Sequence, residues 1–238
     1  MDADAGEDAL WQATNSARQS YFEATVGPLP KDIQKMLNMT GVWPGGGLYV
    51  IPASRIGQHL ALYTTFGLTN PDMPATTRML DFRLTSDGHR PAKAEGKLEK
   101  KIPAPKRAGA AGYGYEIFVI AREGQSWPLG FLQWAVQAEI ASDVCLLDRV
   151  EKYDGLTVES IDVGSGAPIN VLISKALAPL PVGAPLPNGR MELLVATTIT
   201  ESEMRWSDQN GRNALLHKLL DAGIGQISSR DRPSVAGQ

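Results

Sequence analysis

"YGYEIFVIAREGQSWPLGFLQWAVQAEI", residues Tyr113 to Ile140, joins two opposite periodicities across a few polar residues. From Tyr113 to Arg122 an extended chain puts Tyr115, Ile117, Val119 and Ala121 on one side. Glu116, Phe118, Ile120 and Arg122 fall on the other, so the pattern predicts a strand with one face deeply buried and the other partly so. After Gly124 the period lengthens: Phe131, Trp134, Ala135 and Ala138 share a helical face that Leu132, Val136 and Ile140 widen. Ser126 is placed to accept a bond from the first turn, and Pro128 sits where a missing N–H costs nothing. The stretch reads as strand, tight turn and capped helix, a unit of core scaffold.

Working outward, a chain of 238 residues with 43% hydrophobic content is long enough to bury a substantial core. A formal charge of −3 and a pI near 5.7 argue against general affinity for nucleic acid or anionic membrane. The single cysteine, Cys145, cannot form an internal disulfide. The N-terminus, MDADAGEDAL, has neither the basic start nor the apolar run of a secretory signal, and no stretch is apolar enough to span a bilayer. A cytoplasmic protein is expected.

Residues 1–13 read as a flexible acidic lead-in, and 14–238 as one domain. Ala17, Tyr21, Phe22 and Val26 predict a helix ended by Gly27 and Pro28, and Asp32 to Asn38 a short second one before the turn "GVWPGGG". Leu48 to Pro52, His59 to Leu68 and Arg78 to Thr85 read as strands, with a loop in "GLTNPDMPATT". Residues 86–112, rich in Lys, Pro, Gly and Ala, read as a mobile basic insertion. Val144 to Val163 is expected to hold edge strands. Asn170 to Leu177 and Met191 to Thr198 are predicted strands flanking a Pro-rich loop, "APLPVGAPLPNG". Thr200 and Glu203 have capping-box spacing, and Arg212 to Ala222 predicts a helix that presents Leu215, Leu216, Leu219 and Leu220 to the core before Gly223. Elements mixed in this order, without strict βαβ alternation, predict an α+β fold: a mixed, largely antiparallel sheet packed against helices.

Chemistry-bearing residues are scattered. His59, His89 and His217 stand far apart without metal-ligand spacing, and Cys145 precedes Leu146 and Leu147 as a small buried hydrophobe would. Gly45, Gly46 and Gly47 precede a strand and lack the Lys-Ser/Thr of a phosphate loop. Glu201 and Glu203 occupy a first helical turn, where carboxylates suit the dipole. Between Arg90 and Arg107 the insertion carries seven Lys and Arg against Glu95 and Glu99, without an aromatic residue for stacking bases. No catalytic residue, metal or cofactor is predicted.

Several segments, in order, resemble the N-terminal domain of the suppressor of fused family. They are "LALYTTFGLTN", "YGYEIFVIAR", "SWPLGFLQWA", "LLVATTITESEMRW", "NGRNALLHKLLDAG" and "ISSRDRPSV", covering roughly Leu48 to Val235. In the strand-to-helix unit, Gly114, Glu116, Trp127 and Pro128 carry the likeness. The resemblance implies the fold of that domain and a role in binding without catalysis. In animals the family restrains transcription factors by clamping a peptide as an added strand between two lobes. This chain ends where the first lobe would end, and "TNPDMPATT" does not match the family's peptide-contacting loop. Single-domain relatives in bacteria are proposed to be immunity proteins that neutralise toxins of polymorphic toxin systems, so the implied partner is another protein, a toxin domain among the candidates. Tyr63, Asp72 and Trp127 are the positions expected near a contact face, with Tyr63 and Trp127 as core residues the alternative. A hydrolase or transferase using Cys145 or a histidine, and a regulator of transcription factors, remain open as other readings.

Overall fold

The computed structural model describes residues 3–31, 37–38, 41–42, 46–74, 76–85, 93–101, 107–164 and 166–237. In chain order the elements are α1 (Ala3–Thr25), β1 (Leu37–Asn38), β2 (Gly41–Val42), β3 (Gly47–Pro52), β4 (Leu60–Phe66), β5 (Thr76–Thr85), β6 (Lys93–Lys101) and β7 (Ala110–Arg122). They continue with α2 (Trp127–Ser142), α3 (Leu146–Lys152), β8 (Leu156–Ile161), β9 (Ile169–Lys175), β10 (Gly183–Leu186), β11 (Gly189–Ile199), α4 (Glu201–Asn210) and α5 (Arg212–Asp221).

A seven-stranded sheet runs β3-β4-β7-β11-β9-β8, with β10 paired to β11 as a hairpin. β7 and β11 pair in parallel and the other pairings in this sheet are antiparallel, giving the mixed α+β architecture expected. The period of two along β7 sends Tyr115, Ile117, Val119 and Ala121 to the layer formed by α2 and α3, where Phe131, Leu132, Leu146 and Val150 meet them. Phe118 and Ile120 go to the opposite face, against Phe22 of α1 and Val26 just after it. Both faces of β7 are therefore buried, more fully than alternation alone indicates, because α1 covers the second one. A third cluster joins α4 and α5 through Met204, Leu215, Leu216 and Leu219 to Val235. Leu220 lies outside it, exposed.

Other expectations are corrected. α1 starts at Ala3, so a helix runs through much of the stretch read as a flexible lead-in, although Gly6 and Asp8 to Leu10 are exposed on it. The basic insertion contains β6, which pairs along its length with β5, and its last residues start β7. Residues 86–92 and 102–106 lie outside the described residues, as does most of the expected helix from Asp32, while Leu37–Asn38 pairs with Gly41–Val42. Val144 to Val163 holds the helix α3 as well as β8, and the Pro-rich loop contains β10. Ser126 is the N-cap residue of α2, but its side chain makes no capping bond there; Pro128 does stand in the first turn. At α4, Thr200 and Glu203 form the reciprocal capping box that their spacing indicates. No helix among the described residues is long and apolar enough to cross a membrane.

Candidate functional site

Glu116 lies on the α1 face of β7, fully buried. A carboxylate there is tolerable only if its lone pairs are filled. One oxygen, Oε1, accepts from Gly67 N at 2.9 Å, Thr69 N at 3.1 Å, Thr69 Oγ1 at 2.7 Å and Arg18 Nη1 at 3.1 Å. The other accepts from Thr65 Oγ1 at 2.7 Å, which itself receives Ile117 N. Arg18, also fully buried, donates to Thr69 Oγ1 and to Asn70 Oδ1, each at 2.8 Å, and its guanidinium lies 4.0 Å over the Phe66 ring. Burial pulls the Arg18 pKa down from its ordinary value while Glu116 opposes the shift. Arg18 reaches this point because Thr14, Arg18 and Phe22 form the buried row of α1 at a spacing of four, which Val26 continues just past the helix end.

The bonds converge on the turn "GLTN", residues 67–70, which leaves β4 and leads toward β5. Asn188, in the β10–β11 turn, donates to Thr69 O at 2.9 Å and accepts from Thr14 Oγ1. On the returning side, Tyr113 N donates to Leu68 O at 2.9 Å. Gly112, at φ 56°, passes so close that a Cβ would lie 2.3 Å from Leu68 O. Only glycine fits both that conformation and that approach. Arg107, just before this crossing, is tied to α3 by ion pairs with Asp148 at 3.3 Å and with Glu151. The chain therefore leaves and rejoins the main sheet through one fixed root, and between the two passages lies the ribbon β5–β6, a sheet of its own.

Of the residues expected near a contact face, Asp72 sits half-buried on the loop at this root. Tyr63 and Trp127 are 1% and 4% exposed and belong to the core between the sheet and α2. Their side chains offer a partner no area. The Tyr63 hydroxyl donates to Arg122 O and accepts from Gln125 N, both at 3.1 Å, and so fixes the turn between β7 and α2.

Two further buried carboxylates are likewise occupied. Glu139 Oε2 accepts from Tyr115 OH at 2.8 Å and from Leu146 N at 2.9 Å, joining α2 to α3. Burial first, then Glu139, pushes the Tyr115 hydroxyl well above its ordinary pKa, so it serves as a neutral donor. Glu203 binds Arg232 through both oxygens, at 2.5 and 2.7 Å, together with Val235 N and Thr200 N, each at 2.8 Å. Glu139, Asp143 and Cys145 bring potential ligand atoms within 4.8 Å of one another, yet Glu139 spends Oε2 on the α2–α3 join. Cys145 is half-buried at φ 56° as the N-cap of α3, not the buried hydrophobe expected. His59 and His217 are exposed and lie on different elements; His89 is outside the described residues. General acid–base work needs a titratable group open to a substrate proton. These three carboxylates instead hold backbone N–H groups at turns and helix ends.

The arrangement defines a class: a two-faced mixed sheet whose buried charges fix loops, a scaffold for presenting surface. The chain belongs to the suppressor of fused family, whose model, described as "Suppressor of fused protein", matches residues 47–233. No curated protein sequence matches the chain. Among solved structures it is similar to a chain of the Sufu–Fu complex, at 13% identity and TM-score 0.53, covering 95% of this chain and 92% of that one. It is also similar to Drosophila Suppressor of Fused, at 14% identity and TM-score 0.51, covering 94% of this chain and 50% of that one. At such identities the likeness is one of fold. Sequence reading marked Glu116 but missed its partner Arg18; the available signal was one charged residue inside the apolar row of α1.

Proposed function

We propose that the chain is a non-catalytic protein-binding domain whose physiological role is that of an immunity protein, holding a cognate toxin domain in a neutralised complex in the cytoplasm. The observation that carries the binding reading is the filled state of the Glu116 carboxylate, which spends a buried charge on fixing the root of a separate ribbon. Rigid roots beneath variable loops suit recognition, because ordering is done before the partner arrives. Family membership supports binding over catalysis, and the Sufu–Fu structure contains a relative in complex with another protein. The immunity role rests on the likeness to single-domain members. The loop with Asp72 belongs to the contact face in this reading, whereas Tyr63 and Trp127 act by holding the scaffold.

The test is capture of partners from native extract with tagged full chain, followed by co-expression with the captured protein. One stoichiometric partner whose toxicity the chain suppresses is the expected result. Repeated capture of no specific protein overturns the binding reading, and capture of a non-toxic partner overturns the immunity role. Deleting 86–112 is the wrong control, since it removes β6 and Gly112; exchanging 76–101 for a short Gly-Ser link keeps the root.

A further inference from the structure

We propose that a groove where α3, β9 and α5 meet is a docking site for a protein segment carrying a large apolar side chain beside a Lys or Arg; this rests on the protein-binding reading above. The groove measures about 440 Å³, and its floor is apolar, with Val150 of α3, Leu177 just past β9 and Leu216 of α5. Among the described residues five large hydrophobic side chains are exposed, and three of them belong to this region. Leu177, 37% exposed, lines the groove; Tyr153, 46% exposed, immediately precedes the lining residue Asp154; Leu220, 36% exposed, lies one turn beyond Leu216 on the same side of α5. Exposed apolar residues scattered singly need no explanation, whereas a cluster marks an interaction surface. The walls are fixed before anything binds. Gly155 N closes α3 on Val150 O at 2.9 Å, and Arg212 Nε ties the start of α5 to Thr157 Oγ1 at 3.2 Å. The buried Gln226 donates to Ser174 Oγ at 2.9 Å and Lys175 O at 2.8 Å and accepts from Leu177 N at 2.9 Å, which holds Leu177 at the rim. A site built this way is ordered in advance of its occupant.

The charges select the occupant. Glu151 and Lys175 line the groove but answer each other at 2.7 Å. Asp154, exposed in the same lining, has no ionic partner among the described residues, and the adjacent Lys152 lies 5.1 Å over the Tyr153 ring instead. A cation beside the inserted apolar side chain therefore finds a carboxylate ready for it. An acidic segment or a nucleic acid meets that carboxylate with Lys175 already committed, and is repelled. Asn213, exposed in the first turn of α5, makes no side-chain hydrogen bond among the described residues, and its amide can both donate to and accept from a peptide group. That pairing favours a polypeptide over a free amine.

The experiment titrates the ¹⁵N-labelled full chain with three short peptides, in which Leu is flanked by Lys, Leu is flanked by Glu, or Gly is flanked by Lys, and follows amide shifts by NMR. The Lys-flanked Leu peptide is expected to shift the amides of Asp154, Gly155, Leu177 and Asn213 saturably, more weakly as salt rises, and the other two to shift them less. Asp154→Asn keeps a residue type suited to the positive φ of that position and removes only the charge. It is expected to weaken binding about three- to fivefold at low salt and to abolish most of the salt dependence. Leu177→Ser is expected to weaken binding about tenfold with the salt dependence retained. Both variants are expected to keep the wild-type urea midpoint, because both side chains are exposed. Absence of saturable shifts in the groove, shifts confined to another surface, equal shifts with the Glu-flanked peptide, or unchanged binding by both variants overturns the proposal. So does a markedly lowered midpoint in Leu177→Ser, which would make that leucine part of the core. The capture experiment above separates the two readings: equal capture of the partner by wild type and by the double variant Asp154→Asn with Leu177→Ser removes the groove alone, whereas no specific capture by wild type removes protein binding itself.

Discussion

Two buried arginine–glutamate pairs hold this domain, and they are built differently. At the C-terminal end, Glu203 and Arg232 meet through both oxygens and both terminal nitrogens, and Arg232 keeps 9% of its side chain in solvent. At the ribbon root, Arg18 reaches Glu116 through one nitrogen, both side chains are fully buried, and the carboxylate takes most of its bonds from neutral donors. The first is a clamp between two charges. The second is a carboxylate that organises a turn, with an arginine from outside the family match as one of several donors. The Nε atoms of Arg18 and Arg232 are both buried without a hydrogen-bond partner among the described residues, so that cost is common to the two pairs and the difference lies in the carboxylate's other donors.

The comparison breaks most sharply at Glu116. Glu116→Ala leaves the Arg18 charge buried and strands the N–H groups of Gly67 and Thr69, so a loss of about 3–5 kcal/mol is expected from urea unfolding. Arg18→Met removes the cation but leaves the carboxylate its neutral donors, and about 1.5–3 kcal/mol is expected. The ordering is the sharper test. Equal losses would mean that the root is a simple ion pair like the C-terminal one. In the double variant Glu116→Gln with Arg18→Met neither charge of the pair remains, and a cost below the sum of Glu116→Gln alone and Arg18→Met alone is expected.

At the clamp, Arg232→Ala is expected to cost about 1–3 kcal/mol, since water can reach the vacated edge of Glu203. Here pH adds a second axis. Burial works against ionisation of Glu203, but Arg232 and the N–H groups of Val235 and Thr200 outweigh it and hold its pKa below the ordinary 4.5. A carboxylate depressed by folding contributes stability above its unfolded pKa, and this is lost as pH falls through the folded one. The gap in urea midpoint between wild type and Glu203→Gln is therefore expected to be widest at neutral pH and to narrow below about 4.5. A gap that widens on acidification would reverse the assignment.

What sequence reading recovered, and what it missed, follows from how local each feature is. The capping box at Thr200 and the change of period across Tyr113 to Ile140 lie within a few residues, so spacing revealed them. β6 escaped because a Lys-rich strand with Ala94, Gly96 and Leu98 at its alternate positions has little apolar signal of its own; β5 supplies the register that explains it. α3 escaped because it is short, starts after two residues of positive φ, Asp143 and Cys145, and is followed closely by Thr157, Val158 and Ile161, which give the segment a strand signal. Arg18 and Glu116 are 98 residues apart, a separation no local pattern bridges. Glu116 itself was legible as a family position, but its role depends on a turn and a helix that only the fold brings together.

A third arginine–carboxylate site, at the surface, shows how much of this depends on burial. Glu151 on α3 bonds Arg107 and, at 2.7 Å, Lys175, and these cations hold its pKa down to about 2, Arg107 being the largest cause. The shift in pKa is large, yet the side chains of Arg107, Lys175 and Glu151 are 36%, 44% and 30% exposed, so solvent screens most of its worth. Glu151→Gln is expected to cost under about 1 kcal/mol at neutral pH, to lose even that as pH falls from 4.5 toward 2, and to fade in high salt. Faster hydrogen exchange at Arg107 to Ala110, with the urea midpoint almost unchanged, would make Glu151 a local tether of the ribbon's returning strand. A loss comparable to that of Arg232→Ala would contradict the rule drawn from the two buried pairs, that depth and shared backbone donors, more than the ion pair itself, set what each carboxylate contributes.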